Sequence, residues 1–72
     1  MALRQAHPNV VLHGGSLIPE ELRIRHIEDP KQVFKLPVAN RYEHFEPSPD
    51  TVVMDGRELR VLVWVGRTYV AE

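Results

Sequence analysis

Apolar and polar positions alternate most densely over Thr51 to Ala71, and that stretch predicts three antiparallel strands joined by two tight turns. Asp55-Gly56, between β-rich flanks, is a strong short hairpin signal, because a type I′ turn needs positive φ at both central residues. It sets Met54 opposite Arg57 and Val52 opposite Leu59. Gly66-Arg67 fits a type II′ turn and sets Val65 opposite Thr68 and Val63 opposite Val70. With both turns in place, one face carries Val52, Met54, Leu59, Val61, Val63, Val65 and Val70, an aliphatic side expected to be core. The other carries Thr51, Val53, Glu58, Arg60, Leu62, Trp64, Tyr69 and Ala71, with Trp64 directly across from Tyr69 as an aromatic pair.

Upstream, residues 1–8 read as a flexible lead-in, and 9–72 as one small β-rich domain. Asn9-Val10-Val11-Leu12-His13 is a short β-branched strand stopped by Gly14-Gly15-Ser16. The two glycines suit a sharp turn with positive φ; no lysine follows at phosphate-loop spacing, and no third glycine stands at dinucleotide spacing. Ile18-Pro19-Glu20-Glu21-Leu22 forms one helical turn, with Pro at the first helical position and acids at its positive end. Arg23 to Ile27 reads as a half-buried strand with Leu22, Ile24 and His26 on one face. Glu28-Asp29-Pro30 is a turn, and Val33 to Val38 a strand that Pro37 restricts to an edge. Arg41 to Glu46 follows, then Pro47-Ser48-Pro49-Asp50 as a rigid loop. The expected fold is mainly β: a small antiparallel sheet or open barrel of about five or six short strands with one helical turn.

Composition narrows the function classes. A 72-residue chain is one domain with a thin stability margin. It has no Cys, which removes disulfides and thiolate zinc sites and leaves an efficient core or self-association to compensate. Seven Arg and two Lys are scattered, and the net charge is −1, so no clustered basic face for nucleic acid is expected. No stretch approaches the ~18 apolar residues of a membrane span. The start of the chain lacks the apolar segment of a signal peptide, so a cytoplasmic location is expected.

The residues that suggest chemistry are few. On a strand, Tyr42, His44 and Glu46 share one face and Arg41, Glu43 and Phe45 the other. A His between a phenol and a carboxylate can act as a general base, with Arg41 holding an anion. The competing reading is surface cross-strand pairs beside a structural Tyr and Phe. His13, His26 and His44 would need to meet in space, with Glu46, to hold zinc, since no two His stand at i, i+2 or i, i+4. Arg41, Arg57 and Arg60 would form an anion site only if the sheet gathered them. Ser16 lacks a nucleophile-elbow frame. No cofactor motif is present, no metal site is assigned and no catalytic residue is compelled.

Asn9 to Gly15, Arg41 to Pro47 and Arg60 to Glu72 resemble segments of a family of short uncharacterised actinobacterial proteins. The resemblance covers nearly all of the chain after the lead-in. It implies a cytoplasmic accessory role near gene clusters for specialised metabolites, and it supplies no catalytic residue. The combined expectation is a non-catalytic interaction protein that binds itself as a homodimer, or binds a biosynthetic enzyme, through Trp64, Tyr69, Leu62 and Arg60. The alternative is a small-molecule binder or enzyme using Arg41, Tyr42, His44 and Glu46.

Overall fold

The computed structural model describes residues 7–70; most of the lead-in, residues 1–6, lies outside them. The chain is mainly β, as expected. One five-stranded sheet, in the order β2-β1-β5-β4-β3, is built from β1 (Val10–His13), β2 (Ile24–Arg25), β3 (Phe34–Val38), β4 (Arg41–Met54) and β5 (Arg57–Tyr69). A 3-10 turn, Glu20–Leu22, stands where the helical turn was expected. The sheet is open and mixed: β1 runs parallel to β5, and the other pairs are antiparallel. The two longest strands run 14 and 13 residues, far beyond the short strands expected.

That length comes from two stretches that read as breaks and are strand. Asp55-Gly56 is the hairpin turn, with φ of 51° and 76°, and Met54 pairs Arg57 as predicted. Gly66-Arg67 is not a turn. β5 runs straight through it, with Gly66 opposite His44 and Trp64 opposite Phe45, so Val65 is the extra residue of a bulge. The Pro47 to Asp50 stretch is also strand. β3 pairs with β4 only from Arg41 to Phe45, so β4 beyond that is an edge where a proline costs no ladder hydrogen bond. Ser48 closes the irregularity there, donating to Val61 O at 2.7 Å and accepting from Asp50 N at 3.2 Å.

The buried side of β5 is not the one expected. Val10, Leu12, Ile18, Ile27, Leu36, Phe45 and Leu62 form the buried cluster, with Leu22, Phe34, Val38 and Trp64 packed against it. Of the aliphatic residues expected as core, Leu59 and Val61 are buried, but Val52, Met54, Val63, Val65 and Val70 are exposed. Trp64 lies across from Phe45 rather than Tyr69, and Tyr69 pairs with Arg41. The Leu62 and Trp64 side is covered by the chain itself, through Ile18 and Leu22 from one connection and Ile27 from another.

Side chains fasten those connections. Asn9 clasps Ile27 with two hydrogen bonds of 2.9 Å, one to its carbonyl and one from its N–H. Arg23 donates to the carbonyls of Leu12 and Gly14 at 3.0 and 2.9 Å. The clasp draws Ile27 inward, and β2 is two residues long, shorter than the expected strand over Arg23 to Ile27, with the Arg25 and Ile27 face turned toward the core. Ile24 is exposed and Arg25 half-buried. β3 is the edge strand that Pro37 demanded.

The two glycines of the hairpin sequence separate a turn from a bulge experimentally. An added Cβ at Gly66 meets nothing within 4 Å and the backbone there is not left-handed, whereas Gly56 sits at φ 76°. Gly66→Ala is expected to be neutral or stabilising by about 0.5 kcal/mol, and Gly56→Ala destabilising by about 1 kcal/mol. Thermal melts of the two variants check this; a larger loss at Gly66 would restore the turn.

Candidate functional site

β4 sends Arg41, Glu43 and Phe45 to the covered side of the sheet and Tyr42, His44 and Glu46 to the open side, by strand alternation. On the covered side a carboxylate therefore follows the same parity as the most buried aromatic. Glu43 is fully buried, and among the described residues it is the one buried side chain that is charged. Its two oxygens accept from four directions: Trp64 Nε1 at 2.8 Å, Arg67 Nε at 3.0 Å to each oxygen, and Arg41 Nε. Arg67 reaches Glu43 because the Val65 bulge shifts the register by one. Without it, Trp64 and Arg67, three residues apart on a strand, would point to opposite faces.

The same arginines grip the loop above. Arg41 Nη2 donates to Leu17 O at 2.8 Å, and Arg67 Nη2 donates to Ser16 O at 2.9 Å. That loop is built from left-handed residues, Gly14 at φ 90°, Gly15 at 81° and Leu17 at 61°. A Cβ on Gly15 would stand 2.8 Å from both Ile18 Cδ1 and the Trp64 ring, so glycine is required for contact as well as for conformation. Arg67 also stacks on Trp64, its guanidinium carbon 5.6 Å from the ring centre.

Burial pushes the Glu43 pKa up. Hydrogen bonds from Arg41, Trp64 and Arg67, with the charge of Arg67, outweigh that and hold it below the ordinary 4.5. The hydrogen bond to Glu43 raises the Arg67 pKa in return, against some loss from burial. Glu43 is thus an ionised, fully partnered carboxylate. With every acceptor direction filled by a donor of its own chain, it is an anchor rather than a base awaiting a substrate proton.

The residues expected to carry function are dispersed. Leu62 is fully buried, so it belongs to the core and not to an exposed binding surface. Trp64 is half-buried with its N–H committed to Glu43. Arg60 is half-buried and donates to Ser48 O at 3.1 Å, and Tyr69 is exposed. Arg41 is on the covered side, apart from Tyr42, His44 and Glu46. Those three do share the open side, where His44 Nε2 lies 2.8 Å from Thr68 Oγ1. Tyr42 and Glu46 are exposed and His44 half-buried, and none of the three lines the clefts found at the β2 edge, beside the hairpin or beside Arg23. Among the described residues no three His, Cys, Asp or Glu side chains are placed to hold a metal ion, so His13, His26 and His44 do not converge.

Glu43 and Arg67 were missed as a pair by sequence reasoning. The available signal was Glu43 on the parity of Phe45, an acid where an apolar residue belongs. Its partner was hidden by the bulge.

Replacing Glu43 tests the anchor. Glu43→Gln keeps the shape but strands the two arginines, and is expected to destabilise by about 2–3 kcal/mol, at or below the usual cost of breaking a buried pair because both arginines reach solvent. Since the folded pKa is lowered, the wild-type contribution is complete above the ordinary carboxylate range and lost as pH falls through the lower folded value. Stability-versus-pH curves of wild type and variant should therefore converge in acid and separate toward neutrality; parallel curves would contradict the assignment.

The chain matches, over residues 4–72, the model of a family of unknown function, DUF5988, and belongs to that family. No curated protein and no solved structure matches it.

Proposed function

We propose that this DUF5988 member is a non-catalytic interaction module whose open sheet face packs against a second copy of the chain. The observation that carries this reading is the one-sidedness of the sheet. The Leu62 side is sealed by the chain's own connections, while Val63 and Val65 lie 41% and 50% exposed along β5 on the other side, with Tyr42 at 41% nearby. Half-buried Val11 pairs with buried Val61 on one side and with exposed Ile24 on the other, which extends the apolar character of this side toward β2. A single sheet with one covering layer accounts for the short 21 Å dimension of the molecule.

The chemistry of the stripe favours a like partner. Lys35 on β3 and Glu46 on β4, opposite Val63, supply both signs of charge on the β4 side of the apolar centre, which a two-fold operation can pair with itself. A chain of this size without Cys gains most from burying such a face against another copy. The β4–β5 hairpin tip, with Val53 71% exposed, stays free in that arrangement. No helix among the described residues is long and apolar enough to cross a membrane. The sequence resemblance to actinobacterial proteins near specialised-metabolite clusters supports a cytoplasmic accessory role, with a biosynthetic enzyme as the larger assembly served.

This reading replaces the Trp64 and Tyr69 patch with the Val63 and Val65 stripe as the contact. Sedimentation equilibrium is expected to show a dimer for the wild type and a folded monomer for Val63→Glu/Val65→Glu. Trp64→Ala, by contrast, is expected to unfold the domain by removing a donor to Glu43. A wild-type monomer at high micromolar concentration, or a double variant that stays dimeric, would overturn the proposal.

A further inference from the structure

A second feature lies on the free edge of β5, beyond the end of β1. β1 pairs with β5 only as far as Val63, so past the Val65 bulge residues 66–69 keep the β4 ladder on one side and have no strand on the other. Among the described residues no loop backbone bonds to that edge either. The one such bond nearby, from Val70 N–H to Asn40 O, lies on the β4 side. Open edges are ordinarily blunted by proline or kept short. β3 carries Pro37, β4 beyond Phe45 carries Pro47 and Pro49, and β2 is two residues long. Residues 66–69 carry no proline, so their backbone is open to a further strand.

The side chains beside this edge are cationic on the covered side. The Val65 bulge turns Arg67 there, with Tyr69 two residues on and Arg41 opposite Tyr69. Two arginines face the single carboxylate of Glu43, which leaves one positive charge over. The side chains of Arg41 and Arg67 are 14% and 20% exposed, and Nη1 of each makes no hydrogen bond among the described residues. Neither Nη1 is buried, since Arg25 Nε is the one buried side-chain nitrogen there without a partner. Each guanidinium, though held by Glu43 and the loop, therefore still presents an N–H end to solvent. Tyr69 is exposed, and after Glu43 it gives further support to the Arg67 charge.

We infer that this edge of β5 takes an extended acidic peptide segment of a partner protein as an added strand. Backbone hydrogen bonds to residues 66–69 supply the pairing. A Glu or Asp side chain on the covered side meets Arg67 Nη1 beside the Tyr69 ring, and Arg41 adds to the positive potential. Charge selects the occupant. A second copy paired edge to edge would bring its own surplus cation to this one, and like charges across a strand pair oppose each other. The inference goes beyond self-association, because it uses a strand edge, whereas the Val63 and Val65 stripe is a sheet face.

The test is a titration of the full ¹⁵N-labelled chain with a capped peptide of alternating Val and Glu, followed by backbone amide NMR. Saturable shifts centred on residues 66–69 are expected. The counterpart with Gln in place of Glu is expected to bind ~10-fold more weakly, because the charge-assisted bond is lost. The Lys counterpart is expected to give no saturable shift. The Glu peptide with every backbone nitrogen methylated keeps its carboxylates but cannot form a ladder, and it is expected not to bind. Tyr69→Glu, at an exposed position outside the core, is expected to remove the preference for Glu over Gln. No saturable shift at residues 66–69, equal binding of the Lys peptide, unchanged binding of the methylated peptide, or an unchanged preference in Tyr69→Glu would each overturn the inference. So would shifts at residues 66–69 on dilution of the chain alone, which would make a second copy the occupant of this edge.

Discussion

The Glu43 carboxylate is the constraint on which the rest of the covered layer depends. It is fully buried and accepts hydrogen bonds from Trp64, Arg67 and Arg41. Those two arginines in turn hold the carbonyls of Leu17 and Ser16. A loop with three left-handed residues has little reason to lie flat on a sheet by itself. Here it is drawn down by two cations that are drawn together by one anion. The loop then delivers Ile18 onto the core and seals the Trp64 ring beneath Gly15. An apolar residue at position 43 would pack, but it would leave both arginines without an acceptor and the loop without its tether.

The sheet gains an inside and an outside from this arrangement. With the Leu62 side closed, no described element remains to cover Val63 and Val65. The long β4–β5 hairpin carries this asymmetry past the other strands, since β3 and β1 reach only part of its length. The exposed tip around Val53 and the stripe along β5 are consequences of a chain too short to build a second covering layer. A cleft lined by Arg25, Ile27 and Phe34 also opens at the β2 margin. It lies where β2 ends and Asn9 holds the backbone of Ile27, with Phe34 and Arg25 stacked beside it.

Much of the fold was legible from local pattern. The strand at Val10, the turn at Glu20 to Leu22, the edge role of Pro37 and the Asp55-Gly56 hairpin each follow from a few adjacent residues whose backbone preferences are strong. The parity of Arg41 to Glu46 was equally readable, because alternation within an unbroken strand is a local property. The faces of β5 were not. A glycine followed by a polar residue has the same signature whether the chain reverses or bulges. The choice between them inverts every side chain beyond it. At Gly66 the decision rests with β4, whose Phe45 pairs Trp64 and whose His44 pairs Gly66.

By itself, then, the sequence determined that this chain is a small, mainly β domain without disulfides. It also placed one certain hairpin turn and a carboxylate on the parity of a core aromatic. These follow from residue chemistry and from dihedral preferences that do not wait for distant contacts. Only the tertiary structure decided which side of β5 is buried, that Pro47 to Asp50 lies within a strand, and that Glu43 meets Arg67. Each of those depends on which strand lies alongside, and a register shift of one residue at Val65 separates the two possible molecules.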